Sequence, residues 1–126
     1  MVGYMIADIY PREEWNFVSG LASPDIYTGV FSFARYHESF YTGGKFPDYD
    51  VQDDFSKVTY RACAVLVHEI GHLFDLRHCI SFKCAMNGSN SLEETSKKPF
   101  MFCPECLRKI AYKIKVSPIE LLTNFQ

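Results

Sequence analysis

Apolar residues along the chain form several short runs and then one long run, which is the pattern of strands followed by a helix. The short runs are rich in aromatic and β-branched residues and predict three strands, at 4–10, 16–21 and 29–36. Pro11 ends the first of these strands, and Gly20 interrupts the second. A polar loop, 38–54, follows the third strand and contains Gly43-Gly44.

The second half of the chain is predicted to be helical. A long helix is expected over 56–76, where apolar residues surround almost the whole circumference and include Ala62 to Val67. Ser91 and Glu94 match a capping box at the start of a short helix. Pro104 suits the first position of another helix, which runs to about residue 116, and a final helical turn starts at Ser117-Pro118.

Length and charge narrow the possible classes of protein. The chain has 126 residues, which is enough for one domain with a single core, and its net charge is only −2. Cationic residues are interleaved with acidic ones, so we expect no nucleic-acid partner. The apolar run from Ala62 to Val67 is far shorter than the roughly 20 residues needed to cross a bilayer. With no membrane segment and no secretory signal, an intracellular protein (cytoplasmic or nuclear) is expected, while its oligomeric state is open.

The segment from His68 to Cys79 carries the spacing of a metal site, HExxHxxxxxHC. On a helix, His68 and His72 lie on one face, so both imidazoles can reach one Zn²⁺ at about 2.0–2.1 Å. Glu69 is rotated away from them and can act on a water at the metal. His78 cannot continue on that face, so the chain must turn to bring it back. Three histidines and one open position resemble the metzincin arrangement, which predicts a peptidase.

The alternative is that these are ordinary polar residues of a solvated or satisfied helix. The surrounding helix is apolar, however, and a histidine or glutamate buried there would cost several kcal/mol unless something satisfied it. A metal ion would do so, and the zinc interpretation is therefore preferred.

The cysteines predict a second metal site. Four of the five form two close pairs, Cys79 with Cys84 and Cys103 with Cys106, which suits a closed structural zinc site with Zn–S near about 2.3 Å. Two zinc ions per chain are therefore expected. Disulfides of a secreted protein are the main alternative, and a thioredoxin-like role for the second pair is weaker because no βαβ pattern surrounds it. Cys63, within the apolar helix, is expected to be a small buried residue.

These motifs together resemble the archaemetzincin family. The segment from His68 to Cys79, followed by Cys84-Ala85-Met86 and Cys103-x-x-Cys106, is similar to its zinc-binding pattern. Further segments resemble its animal members, namely Asp8–Pro11, Trp15–Val18, Phe31–Tyr36, Gly88–Asn90 and Leu92–Glu94. The resemblance implies an α+β, metzincin-type fold with a small twisted sheet, an active-site helix, a Met-turn and a C-terminal helix.

The resemblance also implies residue roles. It implies a zinc-dependent peptidase acting on peptide or protein substrates, with Glu69 as general base and Met86 as the Met-turn residue. The implied ligands are His68, His72 and His78 for a catalytic zinc, and Cys79, Cys84, Cys103 and Cys106 for a structural zinc. The chain would divide into a sheet and cleft-edge region (1–55), the active-site helix with the third histidine (56–78), and the Met-turn, cysteine site and C-terminal helices (79–126).

One expectation concerns the third strand. By resemblance it is the edge strand that borders the cleft and pairs with an extended substrate, which is ordinary strand addition. The alternative is an aromatic-rich core strand. Family members usually carry a further strand and helix before the segment that starts this chain, so an N-terminally shortened form or a fragment is expected.

Asp75 departs from the family pattern, which has glycine at this position. Aspartate tolerates φ > 0 at a cost of about 1–2 kcal/mol, so we expect Asp75 to adopt it and all three histidines to reach the metal. Its carboxylate then either accepts a hydrogen bond from a ligand imidazole or faces water. After Met86, Asn87-Gly88 is expected to supply the positive φ angles of a sharp reversal.

Two other classes of protein remain open. One is a catalytically silent zinc-binding or interaction module, in which Asp75 marks the loss of activity. The other is a zinc-ribbon-like adaptor that uses only the cysteines and binds one zinc ion. Neither accounts for a glutamate buried beside two histidines as well as a peptidase does.

Overall fold

The computed structural model describes residues 1–14, 16–37, 40–41 and 52–123, and of residues 52–55 only the backbone. A three-stranded sheet forms one part of the fold, and helices form the rest. The strands are β1 (Val2–Met5), β2 (Gly20–Ser23) and β3 (Thr28–Ser32), in the spatial order β1-β3-β2. β1 runs parallel to β3, while β2 runs antiparallel to it.

The predicted strands exist, but their bounds were shifted. The first strand is shorter than predicted, and beyond it only an isolated bridge joins Ile9 to Val18. The second strand begins at Gly20, whereas the predicted strand, 16–21, was expected to end near this residue. The third ends at Ser32 and continues into a 3₁₀ turn, Ala34–Tyr36. Cross-strand pairing with β3 decides these bounds, since local composition alone also favoured the flanking residues.

The prediction that the third strand lies at an edge was wrong. β3 is central in the described sheet, with β1 on one side and β2 on the other. Its Phe31 is fully buried, which agrees with the alternative of an aromatic core strand. β2 is the antiparallel edge strand, and it packs against the long helix.

Four helices follow the sheet. They are α1 (Gln52–Leu73), α2 (Leu92–Lys97), α3 (Pro104–Ile114) and α4 (Pro118–Thr123). The capping box at α2 is confirmed in part. The Ser91 hydroxyl accepts from the Glu94 backbone N–H at 3.1 Å, whereas the Glu94 carboxylate accepts from Asn90 and not from Ser91. No described helix is long and apolar enough to cross a bilayer.

Two predictions concern Cys63 on α1 and the segment before this helix. Cys63 is exposed, so its predicted burial was wrong. Buried residues such as Arg61, Ala64 and His68 lie on one side of α1, and Cys63 lies on the opposite side. Most of the predicted polar loop, 38–54, lies outside the described residues.

A compact apolar cluster joins α1 to the C-terminal half of the chain. Met86, fully buried, contacts the cysteine-rich segment and α3, and the cluster includes Leu76, Cys84 and Ile110. Gly71 of α1 lies against it. A Cβ built on Gly71 would overlap the Met86 sulfur and would lie 3.1 Å from the Phe102 ring. The close approach of α1 to this cluster therefore requires glycine.

We predict that Gly71→Ala lowers the free energy of unfolding. Alanine favours a helix by about 1 kcal/mol over glycine, but overpacking against buried Met86 costs about 1–3 kcal/mol or more, so the steric effect decides the sign. Chemical denaturation measures the difference. Gly3→Ala is the control, because the nearest atom to its Cβ would be 3.9 Å away. A variant at Gly71 as stable as the unmodified protein would contradict the close contact.

Candidate metal centre

The turn at the end of α1 brings the third histidine back to the first two. Asp75 has φ 65°, as predicted, and is one of three non-glycine residues with positive φ in the described chain. The Leu76 N–H donates to the Gly71 carbonyl at 3.1 Å, and the Asp75 N–H donates to that of His72 at 2.9 Å. This is a Schellman arrangement, in which a left-handed residue closes the helix. Beyond it, His78 returns towards the helix.

The three imidazoles surround one point. The His78 ring centroid lies 5.1 Å from that of His68 and 5.2 Å from that of His72. One nitrogen from each of the three rings lies within 4.8 Å of the others. The predicted convergence of His68, His72 and His78 is therefore what the structure shows.

Backbone carbonyls set the tautomers of two of these rings. The Nδ1 of His68 donates to the Ala85 carbonyl at 2.8 Å, and the Nδ1 of His72 donates to the Leu76 carbonyl at 2.7 Å. A carbonyl can only accept, so the proton of each neutral ring is on Nδ1 and each Nε2 presents a lone pair. The two Nε2 atoms are 3.1 Å apart.

That pair of nitrogens fits a metal ion. Neither Nε2 carries a proton, so they cannot form a hydrogen bond with each other and would repel unless a cation lay between them. Two ligands of a tetrahedral zinc at about 2.0–2.1 Å would be separated by about 3.3 Å, close to the observed spacing. Burial, and then the charge of Lys98, lowers the pKa of His68 to about 4, which favours the neutral, metal-binding ring.

Glu69 lies on the wall of a cavity of about 300 Å³ that opens beside these histidines. Burial raises the pKa of the Glu69 carboxyl, and the charge of Lys98 opposes that shift. Gly20 of β2 leaves space for the Glu69 side chain, because a Cβ at Gly20 would lie 3.1 Å from the Glu69 carboxyl carbon. The edge strand β2 therefore borders the site, in the place that the sequence assigned to β3.

The turn at Met86 joins this centre to the cysteines, but not through the backbone angles that we predicted. Neither Asn87 nor Gly88 has φ in the left-handed region, so that prediction was wrong. The Asn87 amide shapes the turn by accepting from the Cys84 N–H at 2.8 Å and donating to the Cys79 carbonyl at 2.7 Å. The Cys79 N–H also donates to the Met86 carbonyl at 2.9 Å.

The four cysteines of the two predicted pairs come together. Their sulfurs lie within 4.8 Å of one another, and the cysteines concerned are Cys79, Cys84, Cys103 and Cys106. The Sγ atoms of Cys79 and Cys103 are 3.8 Å apart, whereas a disulfide requires about 2.05 Å. Two sulfurs of a tetrahedral zinc site, each at about 2.3 Å, would be separated by about 3.8 Å. All described cysteines are free thiols.

Hydrogen bonds to these sulfurs also suit thiolate ligands. The backbone N–H groups of Cys103 and Met86 donate to the Cys84 sulfur at 3.2 and 3.4 Å. Cys103 is the N-cap of α3 and accepts from the Cys106 N–H, at the positive end of that helix. Burial raises the pKa of Cys84 and Cys106, so a cluster of thiolates here needs a cation.

Asp75 does not orient a ligand. Its side chain is 70% exposed, and the nearest cation is Lys113 at 3.5 Å. The Nδ1 atoms of His68 and His72 are already bonded to carbonyls. The sequence left two alternatives for the Asp75 carboxylate, and the structure agrees with the one in which it faces water.

Some residues around the cavity were not singled out as functional from the sequence. Arg35 forms a two-point ion pair with Asp8, at 2.9 and 2.6 Å, and stacks on Phe17 at 3.9 Å. Tyr36 and Lys98 also line the cavity although both are almost completely buried. In the sequence, the three-residue spacing of Leu92, Thr95 and Lys98 could have indicated that Lys98 lies on the same side as the other two.

The α+β fold, the three convergent histidines and the half-buried glutamate next to His68 are the features of the class of metzincin-type zinc metallopeptidases. The model of Peptidase family M54 matches residues 13–112. The chain is 43% identical to archaemetzincin-2 of Pongo abelii, over 95% of this chain and 38% of that protein. It is 38% identical to the archaemetzincin of Pyrococcus horikoshii, over 86% of this chain and 53% of that protein. The chain belongs to the archaemetzincins, a family of zinc metallopeptidases.

Solved structures agree with this assignment. The archaemetzincin of Archaeoglobus fulgidus, complexed with malonate, superposes with a TM-score of 0.66 at 33% identity, over 86% of this chain and 58% of that one. That of Methanopyrus kandleri gives a TM-score of 0.69 at 29% identity, over 90% and 55%. The predicted family and fold class are confirmed. The chain spans between 38% and 58% of the lengths of these four relatives.

We predict that Asp75→Gly leaves the free energy of unfolding unchanged or raises it by up to about 1 kcal/mol, because relief of the left-handed strain exceeds the entropic cost of glycine. Zinc content should not change. Denaturation of the zinc-loaded protein tests this. The control is Lys113→Met, which removes the surface ion pair without altering the backbone and should cost less than about 1 kcal/mol. A clear loss of stability in Asp75→Gly would show that the aspartate has a structural role.

We predict that Cys103→Ser combined with Cys106→Ser lowers the zinc content by one ion per chain and destabilises the whole domain. Structural zinc binding is coupled to folding, with apparent free energies of about 10–16 kcal/mol in small domains. Metal analysis and thermal unfolding measure the two effects. Cys63→Ser is the matched control, since Cys63 is exposed and outside the cluster. Disulfides that persist in the presence of a chelator would exclude the zinc site.

Proposed function

We propose that this chain forms the catalytic part of a zinc-dependent peptidase that hydrolyses peptide bonds in peptide or protein substrates. In this proposal His68, His72 and His78 bind the catalytic zinc, and Glu69 is the general base. A second zinc ion is held by Cys79, Cys84, Cys103 and Cys106 and is structural. The single observation that carries the proposal is the pair of unprotonated Nε2 atoms, 3.1 Å apart, beside the half-buried Glu69.

In the proposed reaction, Glu69 and the histidines have different roles. When bound, zinc would lower the pKa of a water molecule and polarise the carbonyl of the scissile bond. The Glu69 carboxylate takes the proton of the attacking water and then gives it to the leaving amine. Burial raises the pKa of Glu69, which makes it a stronger base than an exposed glutamate. His68 and His72 cannot replace it, since their Nε2 lone pairs would be used on the metal and their Nδ1 atoms donate to carbonyls.

The edge strand supports a mode of substrate binding. In the described sheet, β2 pairs on one side only, with β3, and its Gly20 lies beside Glu69. An extended peptide that adds to the other side of β2 would place its backbone next to the general base. We therefore propose β2, in place of β3, as the strand that aligns the substrate.

The thiols support an intracellular location. Cys79 and Cys103 lie side by side at 3.8 Å without forming a disulfide. Reducing compartments keep such thiols free for metal binding, whereas an oxidising environment would favour their pairing. We propose that the protein acts inside the cell.

The alternative of a catalytically silent zinc-binding module is less well supported than the peptidase. It depended on Asp75 disturbing the turn to His78, and the turn keeps the required left-handed angle with the three histidines together. We retain that alternative as the negative outcome of the activity test.

We predict that Glu69→Ala lowers kcat/KM for peptide hydrolysis by at least about 100-fold and leaves the zinc content unchanged, since the carboxylate acts on water and not on the metal. Cleavage of a random peptide library and metal analysis measure the two effects. His68→Ala is the contrasting variant and should lose the catalytic zinc. Loss of zinc from Glu69→Ala would make Glu69 a ligand, and zinc-loaded unmodified protein that cleaves no peptide would favour the silent module.

A further inference from the structure

A nearly buried lysine lies on the wall of the cavity that contains Glu69. Lys98 is 5% exposed, and the cavity lining includes it. Its backbone is held in place from two sides. The Lys98 N–H donates to the Thr95 carbonyl at 3.3 Å, and the Tyr60 hydroxyl donates to the Lys98 carbonyl at 2.8 Å. The side chain therefore starts from a fixed point between α1 and α2.

The ammonium group has no counter-ion among the described residues. No carboxylate in the described part of the chain forms an ion pair with Lys98, and Glu69 acts on it only through space. No described side chain or carbonyl accepts a hydrogen bond from its Nζ atom. Among the described side chains, the polar atom that is fully buried without a partner is the Tyr36 hydroxyl, so the Lys98 ammonium keeps some access to the cavity. The rest of the lysine is desolvated, and an anionic group in the cavity would therefore stabilise its charge.

The neighbouring lysine shows that this burial is specific. Lys97 is exposed at 72% of its side-chain surface and forms an ion pair with Glu93 at 2.6 Å, one turn earlier in α2. Lys98 follows Leu92 and Thr95 at intervals of three residues, and all three lie on the cavity wall. Adjacent lysines therefore have different environments, one in water and one in the cavity.

The cavity is a slot that is lined by residues of α1 and of the α2 segment. They include Val65, His68 and Glu69 of α1, and Leu92, Thr95 and Lys98. The other lining cation, Arg35, is already neutralised by its two-point ion pair with Asp8. Of the cationic side chains that line the described cavity, Lys98 is thus the one that can bind an added anion.

We propose that Lys98 is a specificity-determining residue, which binds a carboxylate of the substrate in the slot beside Glu69. The inference rests on the proposed peptidase function and adds the chemical class of substrate that the site selects. The carboxylate can come from an Asp or Glu side chain near the scissile bond, or from the C-terminus of the peptide. Both sources offer the same anionic oxygens to the ammonium group, and the test distinguishes them.

The first measurement uses the unmodified, zinc-loaded protein. Peptides that carry a single Glu or its neutral isostere Gln, at each position from three before to three after the scissile bond, are compared by kcat/KM. We expect one position at which Glu exceeds Gln by about 10- to 100-fold, the range for a hydrogen bond to a charged group. Each peptide is also made as a C-terminal acid and amide. A preference for the acid that does not depend on internal Glu would identify the terminal carboxylate as the source.

The second measurement assigns the preference to Lys98. Lys98→Met keeps the unbranched apolar stem as far as Cε and removes the ammonium group. It should lose the Glu preference by lowering kcat/KM for the Glu peptide only. Lys98→Arg should retain the preference. Lys97→Met is the matched control and should behave as the unmodified protein. Equal kcat/KM for Glu and Gln peptides at every position and for acid and amide forms, or an equal loss for Glu and Gln peptides in Lys98→Met, would overturn the proposal.

A binding measurement separates this inference from the proposed function. In the Glu69→Gln background, which is not expected to hydrolyse peptides, the affinities for the Glu and Gln peptides are compared by fluorescence anisotropy. Tighter binding of the Glu peptide that is lost on adding Lys98→Met supports carboxylate recognition even if the unmodified protein hydrolyses nothing. Cleavage without any discrimination, in contrast, would sustain the peptidase and refute the role of Lys98.

Discussion

The reversal of the chain at Asp75 is the constraint on which both candidate metal sites depend. A left-handed residue closes α1, and the Leu76 carbonyl that emerges from this turn accepts the Nδ1 proton of His72. The same turn directs His78 back to the other histidines and leads directly into Cys79. Helix termination, ligand orientation and the start of the second site are therefore results of one local backbone conformation. Aspartate is among the few residues besides glycine that tolerate it.

The two sites are also joined through the Met86 turn. Ala85 supplies the carbonyl that orients His68, and its neighbour Cys84 belongs to the cysteine cluster. Asn87 holds this turn to the segment after His78 through its side-chain amide. A metal ion on the cysteines would therefore stiffen the support of the histidine site. This is a physical reason for the proposed structural zinc next to the proposed catalytic one in a domain with such a small core.

The cavity is lined by two groups of opposite charge, the half-buried Glu69 and the buried Lys98. Burial raises the pKa of Glu69, while the charge of Lys98 lowers it, so the carboxylate remains a usable base without a direct ion pair. Direct pairing would stabilise both groups more but would occupy the base and block the slot. This separation is consistent with the two proposed roles, Glu69 as the general base and Lys98 as the residue that binds a carboxylate.

Local geometry explains what the sequence determined by itself. Three predicted features depend on residues within a few positions of one another, and the structure agrees with all three. They are the spacing of His68 and His72, the left-handed turn at Asp75, and the proximity of Cys103 to Cys106. Tertiary contacts decided the rest. Strand order placed β2 and not β3 at the edge, and the packing side of α1 exposed Cys63. Lys98 and Glu69 line the same cavity although they are far apart in sequence, and local spacing does not encode which segments share a cavity.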